Sequence, residues 1–113
     1  KIFVSFSPAI CNEAKKSIRQ TIRSWRIHLW SGATVHSIAK EINSVVRGWI
    51  NYYGKYGHWE LRFSLMQIDE YLIRWAKSKY KRLRGRQMKA VNRVKQMRQR
   101  WPYLFAHWKA GFV

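Results

Sequence analysis

The sequence predicts an all-α fold, a compact bundle of four to five helices with a short N-terminal extended segment and an aromatic C-terminal tail. Apolar side chains recur every three or four residues through successive long stretches, the period of one helix face. Gly and Pro fall between those stretches, where they end helices. The chain also carries 7 Trp, 6 Tyr and 5 Phe, with 47% hydrophobic residues overall. Bulky apolar side chains of that kind offset chain entropy, which a disordered basic tail cannot do. At 113 residues there is room for one small domain and no second core.

Residues 1–7 read as an extended lead-in, with Ile2, Val4 and Phe6 alternating like a lone strand, and residues 8–113 as the helical domain. Because the chain starts at Lys1, it reads as a piece of a longer protein. Ser7-Pro8 supplies an N-cap hydroxyl and a first-turn proline for a helix over about 9–28. Ile10, Ala14, Ile18, Ile22, Trp25 and Leu29 form its apolar stripe, and Ser31-Gly32 ends it. Thr34 caps the next segment, whose apolar arc runs from Val35 through Ile38, Ala39, Ile42, Val45, Val46, Trp49 and Ile50 to Tyr53. Asn43-Ser44 predicts a break there, and so two short helices. Gly54 and Gly57 punctuate a loop. A long helix over about 60–83 follows, with Leu61, Leu65, Ile68, Leu72, Trp75 and Ala76 inward and Arg74, Lys77, Lys81 and Arg84 on its outer face. Gly85 breaks it. A last helix over about 86–99 places Ala90, Val94, Met97 and Trp101 inward, and Pro102 stops it before the tail Tyr103–Phe112. The expected core centres on Trp25, Ile42, Trp49, Ile68, Leu72 and Trp75.

Charge narrows the function. The 23 Lys and Arg against 5 Asp and Glu leave a net charge of +18. Residues 71–113 hold 13 basic side chains and no acidic one, whereas residues 1–70 hold 10 basic and 5 acidic. A solvated helix face ordinarily mixes signs into i,i+4 pairs, and the second half forgoes them all. Repulsion on that scale points to a polyanionic partner. A single Cys11 excludes an internal disulfide and a Cys-rich zinc site, and fits a reducing compartment. No apolar run is long enough to span a bilayer, and Lys1–Phe6 is too short for a signal peptide.

Little suggests catalysis. The carboxylates are Glu13, Glu41, Glu60, Asp69 and Glu70, and the adjacent pair Asp69–Glu70 diverges by about 100° on a helix, too far to share a metal. Two-metal phosphoryl transfer needs several converging acids. His28, His36, His58 and His107 show no pairing with one another or with Cys11, so they are expected to be structural or to face the polyanionic partner. No catalytic residue, metal ligand or cofactor is expected in this piece.

Four stretches carry a resemblance. Arg47-Gly48-Trp49-Ile50-Asn51-Tyr52-Tyr53-Gly54 resembles the signature of the group II intron maturase domain, also called domain X, the thumb of the intron-encoded reverse transcriptase. Ile22-Arg23-Ser24-Trp25 precedes it, with Ile38-Ala39 and Ile42-Asn43 between. Trp75 through Leu83, including Lys79-Tyr80-Lys81-Arg82, is similar to the family's Trp-x-x-x-Lys-Tyr-basic helix. Pro102-Tyr103-Leu104-Phe105-Ala106-His107-Trp108 is similar to its Leu-Phe-x-His-Trp ending. Ser44 stands where the family commonly has proline. The resemblance implies a domain that binds group II intron RNA, stabilises its splicing-competent fold and, in the parent protein, grips the template–primer duplex. It also implies fingers and palm upstream, in a parent that is an RNA-directed DNA polymerase. Mg2+ is expected for that polymerase and for the intron ribozyme, the RNA performing the transesterifications. A bacterial cytoplasm, or an organelle, is the expected location.

The RNA-binding candidates fall in three groups. Lys15, Lys16, Arg19, Arg23 and Arg26 lie opposite the apolar stripe of the first helix. Arg47 falls off the apolar arc of its motif, as do Asn51 and Tyr52. Arg74, Lys77, Lys79, Lys81, Arg82, Arg84, Arg86, Lys89, Arg93 and Arg100 make up the basic second half. Within the signature, Gly48 is read as allowing close helix approach, with Trp49, Ile50 and Tyr53 in the core. Trp25 and Trp75 are also read as core, whereas Trp59 and Trp108 are open to packing or base stacking. A helical DNA-binding module of a recombinase or repressor is the alternative, but that needs one recognition helix, whereas the charge here is spread over several. A peripheral membrane binder is disfavoured because the Trp residues sit in core stripes.

Overall fold

The computed structural model describes residues 12–54 and 58–112, with the backbone alone at His58 and Trp59. The extended lead-in, the Ser7-Pro8 cap, Ile10, Cys11, Gly57 and the Trp59 side chain lie outside the described residues. Five helices follow in order: α1 (Asn12–Trp25), α2 (Val35–Tyr53), α3 (His58–Lys79), α4 (Gln87–Arg100) and the short α5 (Ala106–Lys109), with 3-10 turns at Ile27–Leu29 and Lys81–Leu83. Among the described residues there is no strand.

Helix α3 is the spine. Its whole predicted stripe, Leu61, Leu65, Ile68, Leu72, Trp75 and Ala76, is buried, and α1, both 3-10 turns and α4 pack around it, while α2 carries α5. Each fully buried aliphatic or aromatic side chain contributes about 1.5–3 kcal/mol of transfer free energy. Ile18 and Ile22 fasten α1, and Ala90, Val94 and Met97 fasten α4. At the C-terminal end of α3, Trp75 Nε1 donates to the Trp30 carbonyl at 2.7 Å. Lys79 Nζ donates to the carbonyls of Ser31 at 3.2 Å and Ala33 at 2.8 Å. These bonds satisfy carbonyls that a loop leaves open.

Several expectations are corrected. Helix α1 ends at Trp25, not near residue 28, because Arg26 adopts the left-handed conformation (φ 51, ψ 46). That turn swings Ile27 into the core and leaves Leu29 61% exposed. No break divides α2. Thr34 does cap it, accepting from Ser37 N–H at 3.1 Å, but Asn43 caps nothing. Its Nδ2 donates to the Leu104 carbonyl at 2.8 Å and its Oδ1 accepts from Ala106 N–H at 2.9 Å. With serine rather than proline at 44, the backbone hydrogen bonds run on unbroken. Val45 is exposed, and Trp25 and Trp49 are half-buried partners stacked 5.7 Å apart at the rim of the core. Gly48 is exposed, and a Cβ there would meet nothing among the described residues, so it serves no close helix approach among them. Helix α3 stops at Lys79, ahead of Gly85, whose φ of 73 makes the turn into α4. Lys81 and Arg84 therefore do not share one helix face with Arg74 and Lys77.

The aromatic side chains of the tail join the core from Phe105 on, while Tyr103 is exposed. Phe105, His107, Trp108 and Phe112 are buried, with Phe105 and Trp108 edge-to-face at 4.6 Å. Asp69 Oδ1 faces His107 Nε2 at 2.9 Å and accepts from Trp108 Nε1 at 2.9 Å, and Arg98 stands 4.0 Å from Oδ2. Trp108 thus packs and hydrogen-bonds rather than stacking on bases.

Candidate nucleic-acid interface

Amphipathic patterning sends the cations of α1 and α3 away from the core, and the packing of the two helices brings them together. Lys16, Arg19, Arg23, Arg26 and Arg74 line one cleft of about 680 Å³ between α1, the first 3-10 turn and α3, with Gln20, Gln67, His28 and Tyr71 completing the wall. Among the described residues no carboxylate lines it. His28 and Tyr71 stack with centroids 5.4 Å apart, and the Arg74 guanidinium sits 5.3 Å from the Tyr71 ring centre. Burial, then the charges of Arg74 and Arg26, hold the His28 pKa below its ordinary value, favouring the neutral ring. Arg26 reaches this cleft from a backbone conformation that costs a non-glycine residue about 1–2 kcal/mol.

Further grooves continue the cationic surface. Lys77, Arg74 and Glu70 border one between α3 and α4. There Lys77 Nζ donates to Gln87 Oε1 at 2.8 Å, joining the two helices. Arg82, Arg86, Lys89 and Arg93 surround Leu83. Lys79, Arg93 and Arg100 meet beside Tyr80 and Trp101, with the guanidiniums of Arg93 and Arg100 at 4.8 and 5.2 Å from those two rings. Cation–π seating of this kind orders an arginine while leaving its N–H groups free to donate.

Lys15, Arg47, Lys81 and Arg84 sit apart from these grooves, and Lys79 is committed to contacts within the fold. Lys15 stands 3.8 Å from Glu60 in a separate groove, partly neutralised. Lys79 is half-buried and spent on loop carbonyls. Arg47 lies on the exposed face of α2, and Lys81 and Arg84 are exposed around the second 3-10 turn. His28 and Tyr71 were not singled out as binding residues from sequence. Tyr71 precedes Arg74 by three residues, a spacing at which helix side chains meet, and that was the available signal.

The model of the group II intron maturase-specific domain matches residues 15–101, most of the chain. The chain belongs to that family. No curated protein and no solved structure matches it. The matched stretch of this maturase domain takes in all the basic candidates, from Lys15 to Arg100. It stops short of Phe105, His107, Trp108 and Phe112, which the fold nonetheless buries in the core. Among the described residues no group of His, Cys, Asp and Glu could hold a metal ion, and no helix is long and apolar enough to cross a membrane. His107 and Asp69 form the one close carboxylate–imidazole pair among the described residues, but His107 is wholly buried. The pair serves to hold the tail.

Proposed function

We propose that this maturase domain binds group II intron RNA through its cationic grooves and favours the splicing-competent RNA fold. The observation that carries the reading is the cleft between α1 and α3, five cations from three elements with no carboxylate among them. Structured RNA is recognised largely through backbone, shape and 2′-hydroxyls, for which Lys and Arg on rigid helices are suited. A protein that binds the active RNA fold more tightly than the inactive ones shifts the population toward it, and the RNA supplies the chemistry. In a parent reverse transcriptase the same domain would be the thumb, beside fingers and palm, and the grooves would track the template–primer duplex.

The test pairs binding with splicing. Lys89→Gln/Arg93→Gln and Arg23→Gln/Arg74→Gln keep good helix formers and remove charge only. Both should stay folded by circular dichroism, lose affinity for a group II intron in competition with duplex DNA, and lose assisted splicing at near-physiological magnesium. Self-splicing of the RNA at high magnesium should be unchanged. Retained assisted splicing in both variants would refute the reading.

A further inference from the structure

The cleft between α1 and α3 gathers five cations, more than the other basic grooves. A regular duplex strand offers phosphates in a line, which a row of cations along one helix face would match. Here Lys16, Arg19 and Arg23 form such a row on α1, but Arg26 from the turn and Arg74 from α3 close it into a concave space. Its cations are also pre-placed, Arg74 by the Tyr71 ring and Arg26 by its left-handed backbone. We infer that this cleft is a site for converging phosphates, as at a sharp turn of an RNA backbone, and that His28 takes up a proton when they enter. The inference rests on the RNA-binding reading and adds to it the kind of RNA feature recognised.

His28 is the reporter of occupancy. Its ring forms part of the wall, and its Nδ1 is buried without a hydrogen-bond partner. The groups around it are Arg23 and Arg19 from α1, Arg26 from the turn, and Tyr71 and Arg74 from α3. Burial disfavours the charged ring first and the charges of Arg74 and Arg26 add to it, so, with no carboxylate among the described residues of the cleft, the ring stays neutral when the site is empty. Two or three phosphates offset much of that positive field and stand as hydrogen-bond acceptors beside the ring, which shifts it toward the imidazolium. Binding and protonation are linked, so affinity rises as pH falls through the histidine range.

The experiment titrates the full chain with inorganic tripolyphosphate, then with an RNA hairpin holding a sharp backbone turn and with a plain RNA duplex of equal length. Calorimetry in two buffers of different ionisation enthalpy counts the protons taken up. Tripolyphosphate and the turned RNA should bind with proton uptake, absent in His28→Gln. Arg23→Gln/Arg74→Gln should weaken both by about tenfold or more, the loss of charge-assisted hydrogen bonds, and Lys40→Gln/Lys95→Gln, which removes two exposed charges outside the grooves, should leave tripolyphosphate binding unchanged. Binding without proton uptake, equal affinity for turn and duplex, or equal losses in the two double variants would overturn the inference while RNA binding itself stood. Failure of every RNA to bind would overturn the RNA-binding reading and this inference together.

Discussion

Arg26 places a charge where glycine would suit the backbone better. With φ at 51, Arg26→Gly should raise the stability of the free protein by about 1–2 kcal/mol in thermal or urea unfolding, while Arg26→Gln should not. Both should weaken RNA binding, which would separate the backbone's interest from the site's. The sequence does not reveal this residue, because arginine is a good helix former and the apolar stripe reads on through Leu29 without interruption. His28 carries a pH dependence. Its folded pKa lies below the ordinary 6.5, through burial first and then Arg74 and Arg26, so the unfolded chain binds the proton more readily. The stability it permits is therefore complete above that ordinary value and falls as pH drops through it toward the lowered folded value. Urea midpoints measured from about pH 7 to about pH 5 should show a shallower decline in His28→Gln than in the parent. Asp69→Ala strands the buried N–H donors of its partners at His107 and Trp108, at a cost of about 1–3 kcal/mol for each donor left unpaired.

At the scale of the element, α3 was legible because a stripe buried on every side repeats without exception from Leu61 to Ala76. Helix α2 was not, because Asn43 looks the same whether it caps a helix or bonds a distant turn, and its partners Leu104 and Ala106 lie far along the chain. Half-buried Trp49 should lose less on Trp49→Ala than the about 3–5 kcal/mol typical of a fully buried aromatic, and Trp75→Ala should lose the full amount. Gly48 sits exposed inside α2 with open space where a Cβ would be. Gly48→Ala should stabilise the isolated domain by about 0.5–1 kcal/mol in the same unfolding measurement.

For the whole molecule, the charge of +18 sets opposite responses to salt. Screening relieves self-repulsion, so added salt should raise the melting temperature of the free protein. RNA binding should weaken, by about 10³–10⁵-fold between about 50 and 200 mM salt if six to ten phosphates are contacted. A melting temperature that falls with salt, or an affinity that hardly changes, would contradict one half of this expectation or the other. The sign and size of the field were legible in composition. The cleft was not, since its α1 cations and Arg74 meet only through the packing of α1 on α3, and spacing along a sequence carries no crossing angle.

The seating of Phe105, His107 and Trp108 in the core also bears on synthesis. Asn43, which bonds the flanking Leu104 and Ala106, and Asp69, which meets His107 and Trp108, are made first, and their hydrogen bonds span 61 and 63 residues from Asn43 and 38 and 39 from Asp69. While a ribosome still shelters residues 105–112, the nascent chain has its spine but not its closing layer, and the carboxylate of Asp69 has neither ring to meet. Folding is then a late event, timed by release of that segment rather than by completion of the signature motif. Intron RNA transcribed and translated in the same compartment would meet a domain that becomes competent only after the whole of it has emerged.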